Sequence, residues 1–128
     1  MEGELYEWFL TQYPDMIDDI AETIELNTYE LYIKFEDGRE TIYDGDYNTF
    51  IDLNEGDLTD TKKSYKLSVL LRKLIRDKHL SQRILANRID IAQPILHKYI
   101  HCVTKPSEYV EQKIAKYMKC SIEELYRK

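Results

Sequence analysis

The stretch that most constrains this chain is residues 80–107, LSQRILANRIDIAQPILHKYIHCVTKPS. Ser81 is a candidate N-cap, and apolar residues follow it at helical spacing. Asp90 lies where the chain must reverse, and aspartate is among the few residue types that tolerate the left-handed conformation. Gln93–Pro94 then opens a second helix, because proline costs little in a first turn. The predicted apolar spine is Ile84, Leu85, Ile89 and Ile91, with Ala86 at the close crossing of two helices. These signals predict two short helices joined by a tight turn.

This stretch resembles the Cro/repressor-like (XRE-type) helix-turn-helix family, whose pattern runs roughly S-Q-x-x-L-A-x-x-x-G-[VI]-S-x-x-x-[IV]-S-x-x-E-x-G-x-x-x-P-S. The resemblance covers about residues 65–126, and the run IAKYMKCSIEELY is similar to the family's closing helices. It implies a lambda-repressor-like DNA-binding domain. The matching residues are Ser81, Gln82, Leu85, Ala86, Ile91, Leu96, Pro106 and Ser107.

Three residues depart from the family pattern. Asp90 stands in place of the turn glycine, Ile100 in place of a glutamate near the end of the second helix, and Cys102 in place of the glycine that ends it. The first change is chemically tolerable, whereas the other two predict a modified helix end.

The charge of the chain is divided between its halves. Residues 1–64 carry 18 acidic and 4 basic side chains, a balance of −14, and residues 65–128 carry 6 acidic and 14 basic ones, a balance of +8. Such asymmetry indicates two modules with different partners. The basic module suits a polyanion, whereas the acidic one would repel it.

The composition places the chain among cytoplasmic proteins. Hydrophobic content is 43%, enough for a packed core, yet no apolar run approaches the length of a membrane span. The start MEGELYEWFL has no signal-peptide pattern. Cys102 and Cys120 are too few and too far apart for a disulfide framework, which fits a reducing compartment.

The first half predicts two helices and a small antiparallel meander. Pro14 ends a first helix, whose apolar face is formed by Leu5, Trp8, Phe9 and Tyr13. A second helix, capped by Asp15, is expected to bury Ile17, Ile20, Ala21 and Ile24. The hairpin signal Asp37–Gly38 follows an alternating segment from Tyr29 to Phe35. Counted from a two-residue turn, the predicted cross-strand pairs are Ile33 with Ile42 and Tyr32 with Tyr43. A third strand is expected within 47–53, after a turn at Asp44–Gly45.

The predicted fold class is therefore α+β, with two domains. Residues 1–54 form the acidic helix-plus-antiparallel-hairpin domain, for interaction or another accessory role. Residues 55–63 are polar and form the linker. The all-α five-helix domain occupies 64–128. Its first helix carries Leu67, Leu70, Leu71, Leu74 and Ile75, and Ser121 with Glu124 fits a capping box for its last helix.

In the family that the sequence resembles, the second helix of the motif lies in the major groove. This resemblance makes Gln93 the first candidate for base reading, since a glutamine amide can make two hydrogen bonds to adenine. His97 and Lys98 follow one turn later, and Pro94 can only touch a thymine methyl group. The candidates for phosphate contact are Gln82, Arg83, His101, Thr104 and Lys105, and Lys98 can also serve in this role.

Metal binding and catalysis find little support in the sequence. His97 and His101 are four residues apart beside Cys102, but a structural zinc site needs four ligands at recognisable spacings. The chain has no glycine-rich phosphate loop, nucleophile elbow or HExxH motif, so we expect no enzyme and no cofactor.

Three hypotheses about function follow. The first is a homodimeric, sequence-specific repressor of phage or mobile-element type that binds double-stranded DNA, with an acidic domain for dimerisation, a ligand or a protein partner. The second is an antitoxin or anti-CRISPR-like inhibitor whose acidic half binds a protein, possibly by DNA mimicry, while the helix-turn-helix autoregulates. Mimicry requires one continuous stripe of the carboxylates Glu30, Glu36, Asp37, Glu40, Asp44 and Asp46. The third is an interaction module that has lost DNA binding.

Overall fold

The computed structural model describes residues 3–127, which divide into two compact units between Asp57 and Leu58. The first contains one helix and a four-stranded antiparallel sheet of order β1-β2-β3-β4. The second contains five helices, as predicted. In the described chain no helix is long and apolar enough to cross a membrane.

The first unit begins with α1 (Glu4–Gln12), which ends before Pro14 as predicted. A 3₁₀ turn follows at Pro14–Asp19. The strands are β1 (Ile20–Glu25), β2 (Glu30–Phe35), β3 (Glu40–Asp44) and β4 (Thr49–Asp52). The core between α1 and the sheet is formed by Leu5, Phe9, Leu31, Ile33, Phe35 and Tyr43.

The predicted second helix is wrong, because its residues form the 3₁₀ turn and the edge strand β1. Four apolar residues over eight positions fit a helical face, but the same segment has β-branched residues at Ile20, Thr23 and Ile24. Pairing with β2 satisfies the backbone groups on one side of β1, with an irregularity between Ile20 and Glu22. Tertiary pairing therefore overrides the local helical spacing.

The predicted register of the β2–β3 hairpin is wrong by one residue. Ile33 pairs with Thr41 and Tyr32 with Ile42. The loop has three residues rather than two: the Gly38 amide donates to the Phe35 carbonyl at 2.9 Å, and the Phe35 amide donates to the Arg39 carbonyl at 2.8 Å. Gly38 has φ +92°, which is the left-handed residue that such a three-residue loop requires.

The second unit consists of α2 (Asp60–Lys78), α3 (Gln82–Ile89), α4 (Gln93–Ile100), α5 (Glu108–Met118) and α6 (Ile122–Leu125). Residues 60–63, predicted to be linker, form the first turn of α2, because the Thr59 hydroxyl accepts the Lys62 amide at 3.2 Å and caps the helix. The capping box of Ser121 and Glu124 is present as predicted. The core includes Leu67, Leu71, Leu85, Leu96 and Ile114, all at most 1% exposed.

Residues 58–128 contain no glycine, and the helices use other residues where the chain turns left-handed. His79, Asp90 and Lys119 end α2, α3 and α5 with φ of 53°, 70° and 57°. Cys102, just after α4, has φ 57°. Each of these conformations costs about 1–2 kcal/mol for an ordinary L-residue, and less for aspartate, whose short polar side chain reduces the penalty.

Candidate nucleic-acid interface

The turn between α3 and α4 is fixed at both sides by local hydrogen bonds. The Ser81 hydroxyl accepts the Ile84 amide at 3.1 Å, which confirms the predicted N-cap of α3. At the other end the amides of Asp90 and Ile91 both donate to the Ala86 carbonyl, at 2.9 and 3.0 Å. The left-handed Asp90 thus ends α3 in the place of the family's glycine.

The start of α4 combines burial on one side with exposure on the other. Gln93 and Pro94 begin the helix after the N-cap Ala92, and both are exposed. Leu96, Tyr99 and Ile100 are buried at 4% exposure or less. The helix presents the remaining face to solvent, and this recognition face consists of Pro94, His97, Lys98 and His101, at positions i, i+3, i+4 and i+7, with Gln93 beside it.

The recognition face is organised by contacts between its own polar residues. His97 Nδ1 lies 3.3 Å from Oε1 of Gln82, so the first turn of α3 touches the middle of α4. The His97 and His101 rings are 4.2 Å apart between centroids. Burial lowers the pKa of His101, and the nearby His97 and Arg72 act in the same direction. The ring of His101 therefore favours the neutral state in the free protein.

The end of α4 is held by α2. The Ile100 carbonyl accepts hydrogen bonds from the buried Ser68 hydroxyl and from Arg72 Nη2, the latter at 3.0 Å. The amides of Cys102 and Val103 donate to the carbonyls of Tyr99 and Lys98, at 3.3 and 2.9 Å. This is a Schellman arrangement with a left-handed cysteine instead of glycine.

These contacts explain the departures from the family pattern. Ile100 is 3% exposed, so the residue at the position of the family's glutamate is part of the core here. Cys102 keeps the backbone conformation of the glycine it replaces, and its Sγ donates to the Ser64 carbonyl at 3.7 Å. The residues at the end of α4 differ from the family pattern, but the helix still closes through the left-handed Cys102.

The loop after α4 is anchored by one tyrosine. The Tyr99 hydroxyl donates to the Lys105 carbonyl at 3.1 Å and accepts the Ser107 amide at 3.0 Å. Ser107 in turn caps α5 by accepting the Val110 amide at 3.3 Å. The side chain of Lys105 is exposed, and Thr104 is half-buried with its carbonyl accepting the Ser64 hydroxyl at 3.5 Å.

The structure brings Gln82 of α3 together with His97 and His101. It leaves Gln93, Pro94 and Lys98 accessible on α4. Arg83 is exposed on α3. Ile84 was predicted to be part of the apolar spine, but it is 39% exposed, because Leu85 and Ala86 take the inward direction.

Sequence reasoning missed two contributions to this surface. Ile95 is 36% exposed beside Gln93 and Pro94, where an apolar side chain suits a thymine methyl group. Its position in the first turn of α4 was an available signal. The second contribution is the pair Ser68 and Arg72, which positions the end of α4. Sequence could not reveal it, because the four-residue spacing of the pair on α2 does not show that both side chains reach the Ile100 carbonyl.

No group of three or more histidine, cysteine, aspartate or glutamate side chains that could hold a metal ion occurs within residues 3–127.

Five helices with a turn of this geometry and an exposed polar face on the second motif helix define a helix-turn-helix domain. Residues 70–127 match the family model of the Cro/C1-type HTH DNA-binding domain. The match covers just under half of the chain and confirms the predicted resemblance. Comparisons of the chain with curated proteins and with solved structures gave no match.

Proposed function

We propose that the protein is a sequence-specific transcriptional repressor that places α4 in the major groove of its operator. The observation that carries this proposal is the division of α4: Leu96, Tyr99 and Ile100 are locked into the core, while its polar face stays open. A helix held on one side and exposed on the other presents its side chains to base edges at fixed positions.

The exposed residues have different roles in this proposal. Gln93, at the start of α4, reads adenine through its amide, and Lys98 binds a guanine edge or a phosphate. Gln82, Arg83, Thr104 and Lys105 lie on the flanking helix and loop and contact phosphates, which fix orientation without carrying sequence information. Pro94 and Ile95 offer apolar contact to thymine. His97 and His101 bind phosphates or bases.

The assembly in this proposal is a homodimer. Two copies of a helix-turn-helix domain read two half-sites about 34 Å apart on one side of the duplex. The acidic first unit, with 17 carboxylates against two basic side chains in residues 1–57, serves dimerisation or binds a protein partner away from DNA.

The alternative, an antitoxin or anti-CRISPR-like inhibitor acting by DNA mimicry, is disfavoured by the placement of the carboxylates. Glu30 pairs with Asp44 at one end of the β2–β3 hairpin, and Asp46 lies in the turn after β3. Glu36, Asp37 and Glu40 lie at the other end, beyond the apolar segment 31–33. Asp37 is also neutralised by Arg39 at 2.8 Å. The six carboxylates therefore form two groups rather than one stripe.

The test is selection from a randomised duplex pool followed by variants at single positions. Gln93→Ala is expected to relax preference at one base pair, by about 1–3 kcal/mol. Lys98→Ala is expected to weaken binding and reduce the salt slope if it contacts a phosphate. Lys116→Ala, an exposed lysine of α5 outside the recognition face, is the matched control. If neither variant changes binding to a selected duplex, α4 does not read DNA.

A further inference from the structure

The first unit exposes an aromatic surface beside its core. Phe9, Tyr13, Tyr43 and Phe50 form a cluster in which every pair of ring centroids is 5.1–6.3 Å apart. Phe9 and Tyr43 are fully buried, but Phe50 on the edge strand β4 stays 40% exposed. The cluster therefore begins in the core and emerges at the surface, where solvent reaches one side of it.

Two further exposed aromatic side chains neighbour this cluster in the sequence: Trp8 precedes Phe9, and Tyr47 lies three residues before Phe50. Trp8 is 50% exposed and lies near Tyr43, whose pKa is raised chiefly by burial, while Trp8 acts in the opposite direction. Tyr47, in the turn between β3 and β4, is 76% exposed. We call the exposed Trp8, Tyr47 and Phe50, together with the half-buried Tyr13, the aromatic patch.

The patch is rigid. The hydroxyls of Tyr13 and Tyr43 both donate to Oδ1 of Asn48, at 3.0 and 2.9 Å. Asn48 has φ 55°, and Asp44 Oδ1 accepts the amides of Asp46 and Tyr47 at 2.9 and 3.3 Å. These hydrogen bonds restrain the Tyr13 hydroxyl and the backbone that carries Tyr47, which reduces the entropy lost on binding.

Exposed carboxylates adjoin the residues of the aromatic patch along the chain. Glu7 precedes Trp8 and is exposed, Asp15 follows Tyr13 by two residues and is exposed, and Asp46 adjoins Tyr47 in the same turn. The only basic side chains of residues 1–57 are Lys34 and Arg39, which lie on β2 and in the β2–β3 loop. The unit as a whole carries 17 acidic and two basic side chains, a balance of −15.

We infer that the aromatic patch is the docking site for an arginine-rich segment of a basic protein. Guanidinium groups stack on aromatic faces and bind carboxylates with two hydrogen bonds, so arginine matches both components of the surface. Exposed tryptophan, tyrosine and phenylalanine are also the side chains that concentrate binding energy at interfaces. A second copy meeting the same patch would bring two units of charge −15 together, which opposes that association.

This inference deepens the proposed function, because it names the partner of the first unit, and it rests on that proposal only in assigning the unit a protein partner. DNA binding by α4 is measured separately. If binding of the arginine-rich peptide fails, DNA binding can still be measured in the same full-length protein, and the reverse also holds.

Trp8 is the single tryptophan of the chain, so its fluorescence reports on this patch alone. The experiment titrates the full-length protein, without DNA, with a deca-arginine peptide and with a deca-lysine peptide of equal charge. We expect a saturable change in Trp8 emission and a several-fold preference for arginine, since lysine stacks less well on aromatic rings. Equal response to both peptides would overturn the inference, because general charge attraction would then explain the binding.

Paired double variants test the location. Asp46→Asn with Tyr47→Ala removes one charge and one ring from the patch, and we expect about tenfold weaker binding of deca-arginine. Glu36→Gln with Tyr29→Ala makes the same chemical change in two other loops, and both residues are exposed. An equal loss of deca-arginine binding in both double variants would show that the aromatic patch is not the binding site.

Sedimentation velocity over a hundredfold range of protein concentration examines self-association. If the patch binds a basic partner and not a second copy, any dimer of the natural protein should also form in the variant Asp46→Asn/Tyr47→Ala. Concentration-dependent assembly that this variant abolishes would overturn it and assign the patch to a second copy of the chain. Both double variants should retain the DNA binding of the natural sequence.

Discussion

Asp90 Oδ2 and Lys113 Nζ lie 2.6 Å apart, so the residue that reverses the chain between α3 and α4 is paired with α5. The hydrogen bond from Lys113 lowers the pKa of Asp90, and the charges of Lys113 and Lys116 act in the same direction. The turn that sets the start of the recognition helix is therefore linked electrostatically to a helix outside the motif.

This pair predicts a pH-dependent difference between the natural protein and Lys113→Gln. Because the folded-state pKa of Asp90 is depressed, the pair stabilises the fold above the unfolded carboxyl pKa, near 4, and this contribution is lost as pH falls through the lower folded value. Urea unfolding at pH 7 should show a lower unfolding free energy for Lys113→Gln, and the difference should vanish at about pH 2–3. A difference that persists unchanged there would mean that Lys113 acts by packing.

The Tyr99 hydroxyl is predicted to stabilise the loop that carries Thr104 and Lys105. Tyr99→Phe leaves the Ser107 amide and the Lys105 carbonyl without this partner, which should lower the unfolding free energy by about 1–3 kcal/mol. Chemical denaturation measures the loss. Tyr109→Phe, which removes a hydroxyl from a 59% exposed side chain, should change it by less than about 0.5 kcal/mol. If both variants lower the unfolding free energy equally, the Tyr99 hydroxyl does not anchor this loop.

The left-handed helix ends predict a stabilising glycine substitution. Lys119 is exposed and has φ 57°, so Lys119→Gly relieves backbone strain and should raise the unfolding free energy by about 0.5–1 kcal/mol. Lys116→Gly, three residues earlier within α5, should instead lower it by about 1 kcal/mol. Denaturant titration of both variants decides the matter, and a destabilised Lys119→Gly would contradict the account of the helix end.

The recognition face predicts that DNA binding strengthens in mild acid. Burial, His97 and Arg72 all lower the pKa of His101 in the free protein, whereas nearby phosphates favour its protonated form, so binding takes up a proton. The Kd for a selected duplex should fall by about threefold to tenfold between pH 7.5 and 5.5.

The control for that prediction is the third histidine. His79→Gln, at the end of α2, should keep the pH dependence, and His97→Gln/His101→Gln should abolish it. The account fails if the double histidine variant shows the same pH dependence as the natural protein.

The second unit was predictable in detail because its signals are local. The caps at Ser81, Ser107 and Ser121, the left-handed Asp90 and the proline at the start of α4 each depend on a few neighbouring residues. What remained hidden depends on long-range contacts, such as the Ser68 and Arg72 hydrogen bonds to Ile100, 32 and 28 residues away.

The first unit was predicted less well because short apolar runs fit more than one period. The segment 17–24 has helical spacing, and only pairing with β2 makes Ile20–Glu25 a strand. The hairpin register turned on whether Gly38 completes a two-residue or a three-residue loop, and Asp-Gly permits both. The roles of Gln93, Lys98 and their neighbours remain predictions.

The central claim is tested most directly by titrating the full-length protein against a randomised duplex pool at several salt concentrations. The account predicts selection of a two-fold symmetric sequence, with log K falling linearly and steeply with log salt as counterions are released. It also predicts that Gln93→Ala changes the selected sequence. Absence of binding at low salt, or binding without sequence selection, would contradict sequence-specific recognition by α4.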